Sequence, residues 1–213
     1  MRTVKALQSC DHRQRGYALV SLLALMSLLA LFALAVAPRV QQQTQREWEK
    51  EALFRGNQVG EAIRAYYRSR GAQGVNALPT SLDQLLEGVQ IPGRTKRLQI
   101  LRPSAARDPL SPDGEWRLIG PTSQDFRGFV QSLTLYSGGV PPAPRQEFSG
   151  LASLMPRMSN VLDVESTPTS PGSATSDASG PFIGVASGSQ RDSVISFFGI
   201  ERHDQWIFTP MFR

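Results

Sequence analysis

Cysteine is almost missing from this chain. Cys10 is the only one, so no disulfide can form within the molecule. It precedes the long apolar run, whereas a lipid-attachment cysteine would follow one, and it reads as an incidental residue. Histidine is nearly as scarce: only His12 and His203 are present. With no second histidine nearby and no cysteine beyond residue 10, a zinc site is not expected, and the His203–Asp204 pair reads as a surface or strand-edge feature. No G-x-S-x-G elbow and no glycine-rich phosphate loop occur. The sequence therefore offers no case for an enzyme.

Charge is scarce in one place and concentrated in another. Arg2, Lys5, Arg13 and Arg15 stand against Asp11 alone, so +3 of the formal +5 lies in the first 16 residues. The basic isoelectric point is mostly an effect of this leader and gives no reason to expect a nucleic-acid partner. Residues 17–38 then contain no charge at all. Their only polar side-chain groups are the hydroxyls of Tyr17, Ser21 and Ser27. A helix of ~20 residues rises ~30 Å, enough for a bilayer core, whereas the apolar part of a cleaved secretory signal has only ~7–15 residues. Cutting after Ala37 would place Pro38 directly after the scissile bond, where its ring fits poorly. The basic flank predicts a cytoplasmic N-terminus, and hence a periplasmic C-terminal bulk in a bacterium.

The junction has two further details. Gly16 separates the basic leader from the apolar run, and Pro38 is the twenty-second residue counted from Tyr17. In these residues the chain resembles the type IV pilin and type II secretion pseudopilin superfamily. The resemblance implies cleavage after Gly16 by a prepilin peptidase, methylation of Tyr17, and Pro38 as a register mark in a filament core. Most members carry glutamate five residues into the mature chain, where this sequence has Ser21. A hydroxyl cannot neutralise a neighbouring amine, and that departure points to a minor subunit.

Beyond Pro38 the helical pattern continues to about residue 70. Trp48, Ala52, Val59, Ile63 and Tyr66 form one stripe of period 3.6. Gly56 and Gly60 weaken its middle, and Gly71 is a natural stop. Thr80 with Asp83 predicts a capped short helix ending at Gly88. Strands are expected over 115–119, 128–136, 181–187 and 204–212, the last two around the 194–203 run. Phe197, Phe198, Trp206 and Phe208 are expected to pack in the core. Within this half, Asp108–Pro109, Glu115 to Ile119, Ile183 to Val185 and Trp206 to Phe208 resemble short motifs of pseudopilin-like proteins.

More than half of residues 137–180 are serine, proline, glycine or threonine. Such a segment cannot offset its ordering entropy and reads as a flexible insertion, although 148–164 is apolar enough for a short helix or contact patch. Asp108, Asp113 and Glu115 place three oxygen donors near one loop. Because major pseudopilins bind calcium in such loops, the resemblance makes them a candidate calcium site, although the spacing is not that of an EF-hand.

The combined expectation is an α+β, pilin-like fold, with a long N-terminal helix packed on a small antiparallel sheet. Its segments are a leader over 1–16, a transmembrane or filament-core helix over 17–38, and an amphipathic continuation over 39–71. An α+β domain follows over 72–136 and 181–213. The expected partners are the prepilin peptidase, other pilin or pseudopilin subunits, the inner-membrane assembly platform and the membrane itself. The competing expectation is a single-pass anchored periplasmic binding or sensor module with no filament role. A secreted soluble protein cut after Ala37 is the third.

Overall fold

The computed structural model describes residues 11–72, 74–90, 93, 96–154 and 180–212, without the side chains of 11–16, 33–40 and 152–154. The chain forms two compact units, residues 1–45 and residues 46–213. Helix α1, Asp11–Ser69, contributes to both. Within the second unit follow α2 (Leu82–Glu87), β1 (Arg117–Ile119), α3 (Gln124–Tyr136), β2 (Gly184–Ala186), β3 (Asp192–Phe197), β4 (Ile200–Arg202) and β5 (Ile207–Phe208). The class is α+β. One antiparallel sheet has the order β1-β2-β5, and β3 and β4 form a separate antiparallel hairpin.

The C-terminal part of α1 is the spine of the second unit's core. Ala52, Val59, Ala62, Ile63, Tyr66 and Tyr67 are buried. Trp48 does not belong to this stripe and is 51% exposed; the buried residue is its neighbour, Glu49. The spacing Glu49, Ala52, Gly56, Val59, Ile63 alternates three and four, the repeat of a helix face that stays in contact with a neighbour.

The two helix glycines have a packing role. A Cβ at Gly56 would lie 2.3 Å from the ring of Phe208, and one at Gly60 would lie 3.7 Å from the backbone of Pro210. Whatever Gly56 costs α1 in propensity, its missing side chain lets α1 approach β5 and seat Phe208. The ring of Phe208 meets Trp116 edge-on at 5.7 Å, and the indole Nε1–H of Trp116 donates to the Ala105 carbonyl at 3.0 Å. At the end of α2, Gly88 has φ +78 and a Cβ there would strike the Leu98 carbonyl oxygen at 2.3 Å, so the stop expected at that glycine is sterically enforced.

Several expectations need correction. Residues 128–136 are not a strand but the body of α3. Ser123 is its N-cap and accepts from the Phe126 amide at 3.2 Å, and Phe126, Phe129, Val130 and Leu133 turn inward with helical spacing. Reading from Gly128 hides this, because the cap and the first buried residue lie upstream. Thr80 and Asp83 do not form the box: Ser81 is the N-cap without a side-chain bond, while Thr80 and Gln84 bond each other, backbone amide to Oε1 at 3.1 Å and Nε2 to Oγ1 at 2.8 Å. The strands over 115–119 and 181–187 are present but shorter. The one expected over 204–212 is reduced to Ile207–Phe208 behind a 3-10 turn, His203–Gln205.

The expected insertion over 137–180 is not uniform. A 3-10 segment, Gln146–Leu154, buries Phe148 and Leu151 completely or nearly so, and Phe148 stacks on Tyr67 with centroids 4.9 Å apart. Glu147 receives two bonds from the Arg64 guanidinium, Nε to Oε2 at 2.7 Å and Nη2 to Oε1 at 2.9 Å. Residues 155–179 lie outside the described set. The Arg64 hydrogen bond, followed by charge attraction, holds the Glu147 carboxyl below its ordinary value of 4.5.

Two outcomes follow from this packing. Gly56→Ala overpacks the contact with Phe208 and lowers stability by about 1–3 kcal/mol; chemical denaturation checks it, and an unchanged midpoint contradicts the packing. Glu147→Gln removes a carboxylate whose folded pKa is depressed, so wild type exceeds the variant in stability by a constant amount above the ordinary value of 4.5. That excess shrinks as pH falls through the lower folded pKa. Paired denaturation curves from pH 7 to 3 measure it.

Candidate functional site

In the first unit the described side chains of the apolar run, residues 17–32, are all exposed, from Tyr17 at 79% to Phe32. The backbone is helical through the Gly16–Tyr17 junction. The surroundings of Gly16 and Pro38 lie outside the described residues, though both fall within α1. Ser21 Oγ donates to the Ala18 carbonyl at 2.9 Å, and Ser27 Oγ to the Leu23 carbonyl at 2.8 Å. Each hydroxyl is thereby satisfied by its own helix, which leaves the surface effectively apolar. Among the described residues no helix is long and apolar enough to cross a membrane. The expected span over 17–38 includes residues 33–38, whose side chains are outside that description.

In the second unit the polar chemistry converges on one buried row. Glu49 is 0% exposed. Its Oε1 accepts from the Val194 amide and its Oε2 from the Ile195 amide, both at 2.8 Å. The pairing of β3 with β4 shifts register between Asp192 and Phe197, and Val194 and Ile195 fall within this irregularity. A bulge disrupts the ladder locally and needs an acceptor from elsewhere; Glu49 supplies both oxygens. Oε1 also lies 3.0 Å from His203 Nε2. Because a carboxylate only accepts, Nε2 carries a proton. His203 is buried, not at the surface as its sequence context suggested, and its ring meets Trp206 edge-on at 5.1 Å.

The row continues. His203 Nδ1 lies 3.4 Å from Ser189 Oγ, and the Ser189 amide donates to Ser187 Oγ at 3.1 Å. Ser187 Oγ donates to Asp108 Oδ2 at 2.7 Å. Asp108 also accepts from the Gly188 amide at 3.1 Å and from the Leu110 amide at 2.9 Å. Thus α1, the β3–β4 hairpin, the loop after β2 and the Asp108 loop are joined by buried hydrogen bonds.

Carboxylate, imidazole and hydroxyl in that order are the groups that activate a serine nucleophile. Here both Glu49 oxygens are held by amides, Ser189 is buried, and the long Ser189–His203 contact sits at the limit of a hydrogen bond. The arrangement suits a brace better than a reaction.

The calcium triad does not assemble. Asp108 points inward and its oxygens are used, whereas Asp113 and Glu115 are exposed. Among the described residues no cluster of three histidine, cysteine or acidic side chains suited to a metal ion occurs. The sequence signal that could have found the brace is a charged residue, Glu49, in phase with the apolar stripe of its helix.

Neither a family model, nor a curated protein, nor a solved structure matches this chain.

Glu49→Ala strands two buried amides and the His203 Nε2–H, and is expected to destabilise the second unit by about 3–5 kcal/mol. Glu49→Gln keeps one acceptor oxygen and is expected to lose less. Equilibrium unfolding of both variants checks the order; a loss for Glu49→Ala within 0.5 kcal/mol, a change of about the size seen at unimportant surface sites, would refute the brace.

Proposed function

We propose that the chain is a pilin-like structural subunit, a minor pseudopilin or related minor pilin, acting in protein secretion or pilus assembly. The observation that carries this reading is a single helix, Asp11–Ser69, whose early residues 17–32 present an uninterrupted exposed apolar surface and whose later residues form the core spine of an α+β domain. Exposed apolar surface on that scale needs a bilayer or neighbouring helices around it. Both are supplied in turn if the segment is stored in the inner membrane and then withdrawn into a filament core. Exchanging lipid for helix contacts changes apolar burial little, so the transfer depends on packing.

The basic leader before Gly16 supports an N-terminus held in the cytoplasm, with the domain in the periplasm. Ser21, satisfied by the Ala18 carbonyl, offers no charge to a neighbouring amine, and this supports a minor role. The work would be mechanical, with the prepilin peptidase, other subunits and an inner-membrane platform as partners.

Intact mass and N-terminal sequencing of protein from native membranes test the reading. The expected chain starts at N-methylated Tyr17 in cells with the peptidase and at Met1 in cells without it, and Gly16→Leu stays uncut in both. A chain starting at Met1 regardless of the peptidase leaves a plain membrane-anchored module.

A further inference from the structure

The segment that follows α3, residues 140–144, serves neither the core nor the brace. Residues 132–144 carry no charge, and three of the four residues 141–144 are proline. Proline fixes its own φ near −65°, and the residue before each proline is pushed to extended backbone. Val140, Pro141 and Ala143 each precede a proline, so covalent geometry fixes φ at 141, 142 and 144 and drives 140, 141 and 143 to extended backbone, which favours the polyproline range. No regular secondary structure includes them.

Both ends of this strap are fixed. At the start, Ser137 Oγ donates to the Val140 carbonyl, and the Ser137 amide donates to the Leu133 carbonyl at the end of α3. At the finish, the Arg145 amide donates to the Met211 carbonyl at 2.8 Å, and its guanidinium reaches the Phe212 carbonyl at 3.2 Å. Between these anchors Val140, Pro141 and Ala143 are exposed.

The neighbouring surface is also apolar and open. Leu135, Tyr136 and Val140 are each 65% exposed. Tyr136 meets the ring of Phe198 edge-on at 5.9 Å. Phe198 was expected in the core; it instead occupies the two-residue β3–β4 connection at φ +53, followed by Gly199 at φ +77, the sign pattern of a type I′ turn. A bulky side chain in the left-handed region is strained, and such strain collects where a surface is used.

We propose that the strap over 140–144, flanked by Leu135 and Tyr136, is a docking ligand for a partner protein that presents an uncharged, aromatic-lined groove. A preformed extended segment loses little entropy on binding, proline rings stack on aromatic side chains, and a stretch without charge matches a groove without charge. Arg145, paired with Glu61 at 3.4 Å, stands at the C-terminal end as the nearest charge.

The test uses the full chain in native membranes. A photo-reactive phenylalanine derivative replaces Ala143, and a control carries it at exposed Asp113. The expected result is a defined adduct from position 143 alone, whose cross-linked partner peptide, mapped by mass spectrometry, carries two or more aromatic residues. Replacing Pro141, Pro142 and Pro144 with alanine frees the strap and is expected to lower the adduct yield by about tenfold, with a small loss of stability but a domain that stays folded at the temperature of the experiment. Tyr136→Ser, a surface change, is expected to weaken it independently. The proposal is overturned if position 143 gives no adduct, if the yield is unaffected by both variants, or if the mapped peptide has no aromatic residues.

Discussion

A carboxylate with no access to water sets the terms for the second unit. Burying the Glu49 side chain without hydrogen-bond partners would be prohibitive. It survives because two consecutive amides of β3 and an imidazole N–H are delivered to it. The dependence runs both ways. The irregular pairing of β3 with β4 would strand those amides unless an acceptor came from outside the hairpin, and α1 brings one at the required height. The hairpin thereby fixes the axial position of α1 as firmly as α1 fixes the hairpin. Hydrophobic contacts alone are non-directional and would tolerate sliding along the helix; three directed bonds to one side chain do not.

That fixed position explains the glycines further along. With Glu49 held, the next inward positions of the same stripe are Ala52, Gly56, Val59 and Ile63, and Gly56 falls opposite Phe208. A one-residue slip would present Asn57 or Arg55 there. The bidentate Arg64–Glu147 pair and the Tyr67–Phe148 stack then secure the next turns against the 3-10 segment. The helix is thus read four times along its length by four different interactions, and all four agree on one register, the mutual consistency that a single native state requires.

Much of this was legible in the sequence, and the failures are instructive. The α+β class, α2 with its glycine stop, β1 and β2 all follow from local pattern, whereas the β3–β4 hairpin lies in a run to which that pattern assigns no element. Helix α3 did not, because Phe129, Gln131, Leu133 and Leu135 alternate by chance when read without the Ser123 cap and Phe126. Of the stripe expected on α1, Ala52, Val59, Ile63 and Tyr66 are buried and only its first member fails, because a tryptophan at 48 looks like core and a glutamate at 49 does not. The correct phase was available in the three-four spacing from Ala52 onward, but it demanded accepting a buried charge. Its partners, Val194, Ile195 and His203, lie more than 140 residues away, and their amides carry no sequence signature at all. The oxygens of Asp108 are evident in the sequence, but which way they face depends on Ser187 and Gly188, far along the chain.

The same contrast bears on function. The second unit is tightly specified from within: its buried polar row, its close helix–strand contact and its stacked rings satisfy one another. The apolar surface of residues 17–32 is not specified from within. Its serines are closed onto their own helix and its remaining side chains have no partners within the residues described for that unit. One chain therefore combines a domain whose buried polar row is closed on itself with an exposed apolar helical surface that, on the proposed reading, finds its partners in lipid or other helices. If the chain is the filament subunit proposed above, such a division serves it, because the hydrogen bonds of the braced domain do not involve the side chains of residues 17–32.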